Sequence, residues 1–236
     1  MIPGQDYGRD AYATSVPQYD MGLRNYLLGV FNNMSIALFI SGIVSAYVGL
    51  SPDLAAAIWG TAFKYVAIFA PLVFVFIITF MATSMSASTA RIMLFCFAGL
   101  MGLSMSSIFL IYKLGSIFQV FFISGTTFGA TALWGYTTKR DLSNMGSFLM
   151  MGLIGLLVAG IVNIFLQSSA MAFAISLIGV LIFVGFTAYD MQSIKEQYYE
   201  FDGEDRAKAG VFGALNLYMD FVNIFINLLQ LLGEKK

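Results

Sequence analysis

No histidine occurs among the 236 residues, and cysteine occurs once, at Cys96. The first absence removes imidazole acid–base chemistry, histidine metal ligation and the Ser-His-Asp triad. The second excludes an intrachain disulfide framework and a cysteine-cluster metal centre. Charge is also scarce: 11% of residues are charged and 59% are apolar, against about 25% and about 45–50% in soluble domains. So little polar surface cannot cover a soluble globule, which excludes a cytosolic globular enzyme and a disordered or collagenous chain. The net charge of −1 comes without a basic run, so nucleic acid is not an expected partner.

What the chain has instead is long apolar runs; its mean hydropathy is +0.82. Seven runs are each long enough for a helix to cross ~30 Å of hydrocarbon. They are Leu27–Leu50, Tyr65–Thr83, Ile92–Tyr112, Ile117–Gly135, Phe148–Leu166, Met171–Tyr189 and Val211–Leu232. Because they are continuous rather than alternating, helices are expected and a barrel is not. The expected fold class is an all-α integral membrane protein with seven transmembrane helices. Its divisions are a polar N-terminal tail (1–26), a seven-helix domain (27–232) and a short C-terminal tail (233–236). No signal peptide is expected. The longest connection follows span six and holds Lys195, Glu196, Glu200, Asp202, Glu204, Asp205, Arg206 and Lys208.

Orientation follows from lysine and arginine near the span ends. With the N-terminus inside, the inner side holds Arg9, Arg24, Arg91, Lys139, Arg140, Lys195, Arg206 and Lys208. The outer side holds Lys64, Lys113, Lys235 and Lys236. This excess predicts a cytoplasmic N-terminus. Gly125 and Gly129 on span four, Gly99 and Gly102 with Ser104 and Ser106 on span three, and Gly152 and Gly155 on span five predict close helix packing. Cys96 is expected to be a small apolar packing residue, and Lys139-Arg140-Asp141 a topological anchor.

Chemistry is expected where acid enters a span. Asp220 lies near the middle of span seven, and Asp190 at the inner end of span six. An ionisable group inside a span is costly unless paired, neutral or hydrated. Asn216, Asp220, Asn223, Asn227 and Gln230, spaced 4, 3, 4 and 3, fall within about 80° of one another on a helix wheel. Gly213 joins them. Such a stripe is expected to face other helices or a water-filled cavity, either as interhelical hydrogen bonds or as a polar conduit. Asp190 reads as an interfacial carboxylate or as a partner of Asp220. A pair requires helix six to continue toward Tyr198 or a funnelled inner mouth. Two carboxylates that meet in a poorly solvated site share one proton and titrate in coupled steps; when both are ionised they attract a divalent cation, and their hard oxygens suit Ca²⁺. Arg91, at the start of span three, is either a positive-inside anchor or a counter-ion for Asp190.

Phe186–Ile194 (FTAYDMQSI) and Ala214–Leu229 (ALNLYMDFVNIFINLL) resemble the paired signatures of the Bax inhibitor-1 family of transmembrane Bax-inhibitor-motif proteins; Thr138–Phe165 and Ala98–Ile108 fit the same family. The resemblance covers roughly residues 25–232 and is to the bacterial members. It implies seven helices, the last central and surrounded by two three-helix layers, in a bacterial inner membrane. It also implies a pH-sensitive calcium leak channel gated by an aspartate pair on helices six and seven, positions that fall on Asp190 and Asp220. Calcium would then be the permeating ion, possible ligands being Asp190 and Asp220, with Asn216, Asn223, Asn227 and Gln230 lining the pore and no resident cofactor. In such members an arginine at the inner end of helix two can latch the helix-six aspartate. Here Met81–Ser88 holds no basic residue, and Arg91 is the nearest candidate.

A second class of function also fits: a regulatory membrane protein that binds a membrane protease or other complex without transport, contacting it through residues 1–26. An intramembrane aspartyl protease is disfavoured, because Leu217-Tyr218-Met219 precedes Asp220 where such enzymes carry Gly-x-Gly, and no Pro-Ala-Leu segment occurs. No enzymatic activity is expected. A retinal protein is excluded because span seven holds no lysine for a Schiff base.

Overall fold

A computed structural model describes residues 20–236. The first nineteen residues of the expected N-terminal tail, with Arg9 and the protease contact placed on that tail, lie outside the described residues. The described chain is helical throughout. Its elements are α1 (Met21–Leu50), α2 (Pro52–Trp59), α3 (Phe63–Met81), α4 (Ala87–Met105), α5 (Ile108–Ile111), α6 (Leu114–Thr137), α7 (Ser143–Leu166), α8 (Ser169–Glu200) and α9 (Gly203–Leu232). Seven of these segments, with α4 and α5 taken as one, are long and apolar enough to cross a membrane. Phe80 is 83% and Phe165 82% exposed. Large apolar side chains this open belong in lipid rather than in water.

Packing divides the helices into two sets of three. In one, α4 packs against both α1 and α3; in the other, α8 packs against both α6 and α7. The last helix, α9, packs against α1, α4, α6 and α8. In its membrane window 72% of residues are buried, against 6% in α7. Its aromatic side carries Phe221, edge-on to Phe121 and Phe128 of α6, and Phe225, edge-on to Phe121. Tyr218, fully buried, lies 2.7 Å from Ser41 Oγ, which in turn lies 2.8 Å from the Ala98 carbonyl oxygen. That node ties α9 to α1 and α4.

Helix starts follow local chemistry. Ser86 and Ser168 accept from the N–H groups of Thr89 and Met171, and Pro52 opens α2, where its missing N–H is no loss. Asp20 accepts from Leu23 N at 2.9 Å. It thereby starts α1 at Met21, earlier than the expected Leu27. That bond holds the Asp20 carboxyl below its ordinary range, helped by the Tyr198 hydroxyl. A depressed folded-state value means that the cap is intact above the ordinary carboxylate range and is lost as pH falls through the lowered one. Asp20→Ala should speed amide exchange at Leu23 and leave α9 unaffected. Unchanged protection at Leu23 would contradict the capping role.

The connection after span six differs most from expectation. The amphipathic run continues α8 to Glu200, and α9 begins at Gly203, leaving a two-residue turn. Gly203 has φ +54°, a left-handed conformation that glycine adopts without penalty. Three acids of this connection are engaged. Glu204 accepts from Ala87 N at the start of α4, Asp202 pairs with Arg206, and Asp205 pairs with Lys208.

The glycine expectations divide. Gly102 lies against the Ser41 backbone and Gly152 against Ile182, as close packing requires, but Gly99, Gly125, Gly129 and Gly155 face open space. A small-residue pair shows where a helix is flat, not whether a neighbour lies there. The buried side of α6 is instead Ile117, Val120, Ser124, Phe128, Ala132 and Gly135. Cys96 likewise is exposed rather than packed, because α4 buries the stripe through Ala90, Leu94, Phe97 and Ala98.

Candidate functional site

The extension of α8 brings its inner half alongside α9. Their antiparallel register is set by three contacts: Gly213 against Ile194, Gly179 against Asn227, and the Ser176 hydroxyl donating to Gln230 Oε1 at 2.7 Å. In that register Asp190 and Asp220 are about one helical turn from level. Side chains on a helix tilt toward its N-terminus, so in this antiparallel pair the two carboxyls lean toward each other. They come within hydrogen-bonding reach. The first condition that the sequence sets for a pair is met, because α8 continues past Asp190 to Glu200.

Asp220 is 5% exposed, and its Oδ2 has no partner among the described residues. Asp190 is half-buried. A buried acceptor oxygen without a donor is costly to maintain unless it carries or awaits a proton, water or ion.

The rest of the stripe is arranged differently from expectation. Asn216 and Gln230 are exposed, and Asn223 and Asn227 are half-buried. Other helices therefore cover Asp220 but leave Asn216 and Gln230 open at the rim of the stripe. Two of the amides also bond within α9 rather than across helices. Asn223 Nδ2 donates to the Met219 carbonyl and Asn227 Nδ2 to the Asn223 carbonyl, each at 2.8 Å. Only Gln230 bridges to α8, through Ser176.

Arg91 does not reach Asp190. It is exposed and forms no ion pair among the described residues. It lies on α4, and α9 packs against both α4 and α8. A latch between Arg91 and Asp190 is therefore absent from this arrangement.

No group of three or more His, Cys, Asp or Glu able to hold a metal occurs among the described residues. Two carboxylates offer four oxygens at most, whereas Ca²⁺ takes 6–8. Water, amide or carbonyl oxygens would have to complete its shell.

One feature beyond the sequence expectations lies at the opposite end of the bundle. Lys235 forms an antiparallel bridge with Tyr112, Lys113 N donates to the Glu234 carbonyl, and Lys236 N donates to the Ile111 carbonyl. The four-residue tail is thus fastened across the turn between α5 and α6. Nothing in its composition signals this pairing.

Comparison with known proteins places this geometry in a wider context. Residues 23–236 match the family described as inhibitor of apoptosis-promoting Bax1. The chain is 37% identical to the inner membrane protein YbhL of Escherichia coli K12, covering 94% of this chain and 97% of that protein. It is 41% identical to a protein of Rickettsia prowazekii over 98% of this chain and 99% of that one. With a protein of Caulobacter vibrioides it shares 43% identity, again over 98% and 99%.

Proposed function

The chain belongs to the Bax inhibitor-1 family of membrane proteins, and from that premise we propose that it is a pH-sensitive cation leak. Calcium is its cargo, and the Asp190–Asp220 pair is its gate. The observation that carries this proposal is Asp220, buried in the most enclosed helix with Oδ2 unpartnered and a second carboxyl within reach. By analogy with the inner-membrane relative, we place it in a bacterial inner membrane with the N-terminus cytoplasmic, as the lysine and arginine distribution favours.

The pair acts as follows. With one proton between them, the carboxyls hold α8 and α9 together by a hydrogen bond. Loss of that proton leaves two like charges in a poorly solvated place, and Coulomb repulsion in low dielectric favours separation or capture of a cation. A divalent ion offsets both charges. Because the pair supplies only part of a calcium shell, the ion is held incompletely and can leave, as conduction requires. The stripe residues Asn216, Asn223 and Asn227 supply further oxygens along α9. No covalent chemistry is needed, and no enzymatic role is assigned.

The test is calcium-indicator fluorescence in proteoliposomes containing the full chain, measured across a pH series. The proposal expects calcium entry that changes with pH. Folded protein that passes no calcium at any pH would overturn it.

A further inference from the structure

A second site lies on the far side of α8 from α9. Both α6 and α7 lean on α8, leaving a groove of about 330 Å³ lined by Ala130, Thr131, Trp134, Met145, Gly185 and Ala188, with Val184. It is almost wholly apolar and opens outward, where a membrane protein meets hydrocarbon. It cannot remain empty there, and a chain of methylenes is what its lining suits.

The end of this groove is built rather than loose. Trp134 and Met145 flank the α6–α7 turn, and Gln192 of α8 clamps that turn with both ends of its amide. Its Nε2 donates to the Arg140 carbonyl at 2.9 Å, and its Oε1 accepts from Leu142 N at 2.8 Å. Lys195 Nζ donates to the Tyr136 carbonyl at 3.2 Å and lies over the Tyr136 ring. The clamped turn presents Lys139 and Arg140, both exposed and without an ion pair among the described residues. Two carboxylates share the region. The Ser143 hydroxyl, together with the Ser143 N–H that donates to Asp141 Oδ1 at 2.8 Å, holds Asp141 below its ordinary range and directs it at the start of α7. Glu196 is exposed one residue beyond Lys195. The three cations leave one positive charge in excess.

We infer that this groove is a binding site for an anionic phospholipid, with one acyl chain between α6 and α7 and the headgroup phosphate at Lys139 and Arg140. Basic side chains at the mouth of an apolar cleft between transmembrane helices select anionic headgroups, at about fivefold in occupancy for each residue near the surface. Trp134, 49% exposed, sits where an indole belongs at a membrane interface. The site does not depend on the carboxyl pair, and its test reads lipid contact, not flux.

Only two tryptophans occur in the chain. A Trp59→Phe variant therefore makes Trp134 the sole indole. The experiment places that full-length variant in phosphatidylcholine vesicles doped with a small fraction of lipid carrying brominated acyl chains, either phosphatidylglycerol or phosphatidylcholine. Bromine quenches an indole on contact. Brominated phosphatidylglycerol should quench Trp134 at a several-fold lower fraction than brominated phosphatidylcholine. In the background of Lys139→Gln with Arg140→Gln, that preference should fall by about fivefold or more. Equal quenching by the two lipids would overturn the proposal and reduce the groove to ordinary annular contact. A preference that survives the double substitution would overturn the assigned headgroup site.

Discussion

Asp220→Asn should abolish the pH dependence of calcium flux. The substitution keeps the size of the side chain but removes its charge and its part in sharing a proton. Carboxyls in contact interact by more than about one pK unit. The wild-type gate should therefore change its open population by about tenfold or more across its transition, and the variant should respond over the same range only by what its remaining single carboxyl can do. Asp190→Asn should have the same effect, or leave the path fixed in one state, because either residue alone destroys the pair. The fluxes of wild type and both variants, measured in proteoliposomes over one pH series, decide the matter. If both variants keep the wild-type profile, the pair is not the gate.

The second large effect concerns packing. A Cβ on Gly135 would lie 2.4 Å from the Ala188 carbonyl oxygen and 2.8 Å from Ala188 Cα. Those atoms are backbone and cannot rotate aside. Gly135→Ala should force α6 from α8 and destabilise the fold by about 1–3 kcal/mol, the usual range for overpacking. Gly125→Ala, on the same helix, meets nothing within 4 Å. It should be neutral or stabilising by up to about 1 kcal/mol, since alanine is the better helix former. Denaturant titration of both variants in micelles measures the contrast. Because Ala188 is two residues from Asp190, Gly135→Ala should also shift the pH profile of flux, while Gly125→Ala should not. Equal stability of the two variants would contradict the close α6–α8 contact.

Hydropathy alone made the seven spans legible, because a helix in lipid must bury its backbone polar groups within itself and keep an apolar surface. Asp220 was legible for a related reason: a carboxylate so far inside an apolar run has few tolerable places. Less legible was the extent of α8. The segment Gln192–Glu200 is polar and resembles a loop by composition, yet its helical periodicity carries it to a turn of two residues at Phe201 and Asp202. Short α2 was missed because a brief helix after Leu50 leaves no hydropathy signal, although Ser51-Pro52 is a start signal in retrospect.

Side-chain neighbours were the least legible. Gly125 and Gly129 satisfy the small-residue pattern and contact nothing, while Gly135, outside that pattern, makes the close approach. The pattern cannot state which face a neighbour occupies. Arg91 was drawn to Asp190 by charge and presumed depth, but α9 packs between their helices. The amides of α9 were expected to cross to neighbours or line a conduit. The Nδ2 groups of Asn223 and Asn227 bond back to their own helix rather than across to a neighbour, an option that an Asn side chain always has.

The central claim is that two carboxyls hold one proton between them. It is tested most directly by infrared difference spectroscopy during a pH titration of the membrane-embedded protein, comparing wild type with Asp190→Asn and Asp220→Asn. The account predicts a protonated-carboxyl band in wild type that titrates in coupled steps, and a shifted, single-step titration of the remaining carboxyl in each variant. Bands that titrate independently, so that removing one aspartate leaves the signal of the other unchanged, would contradict it.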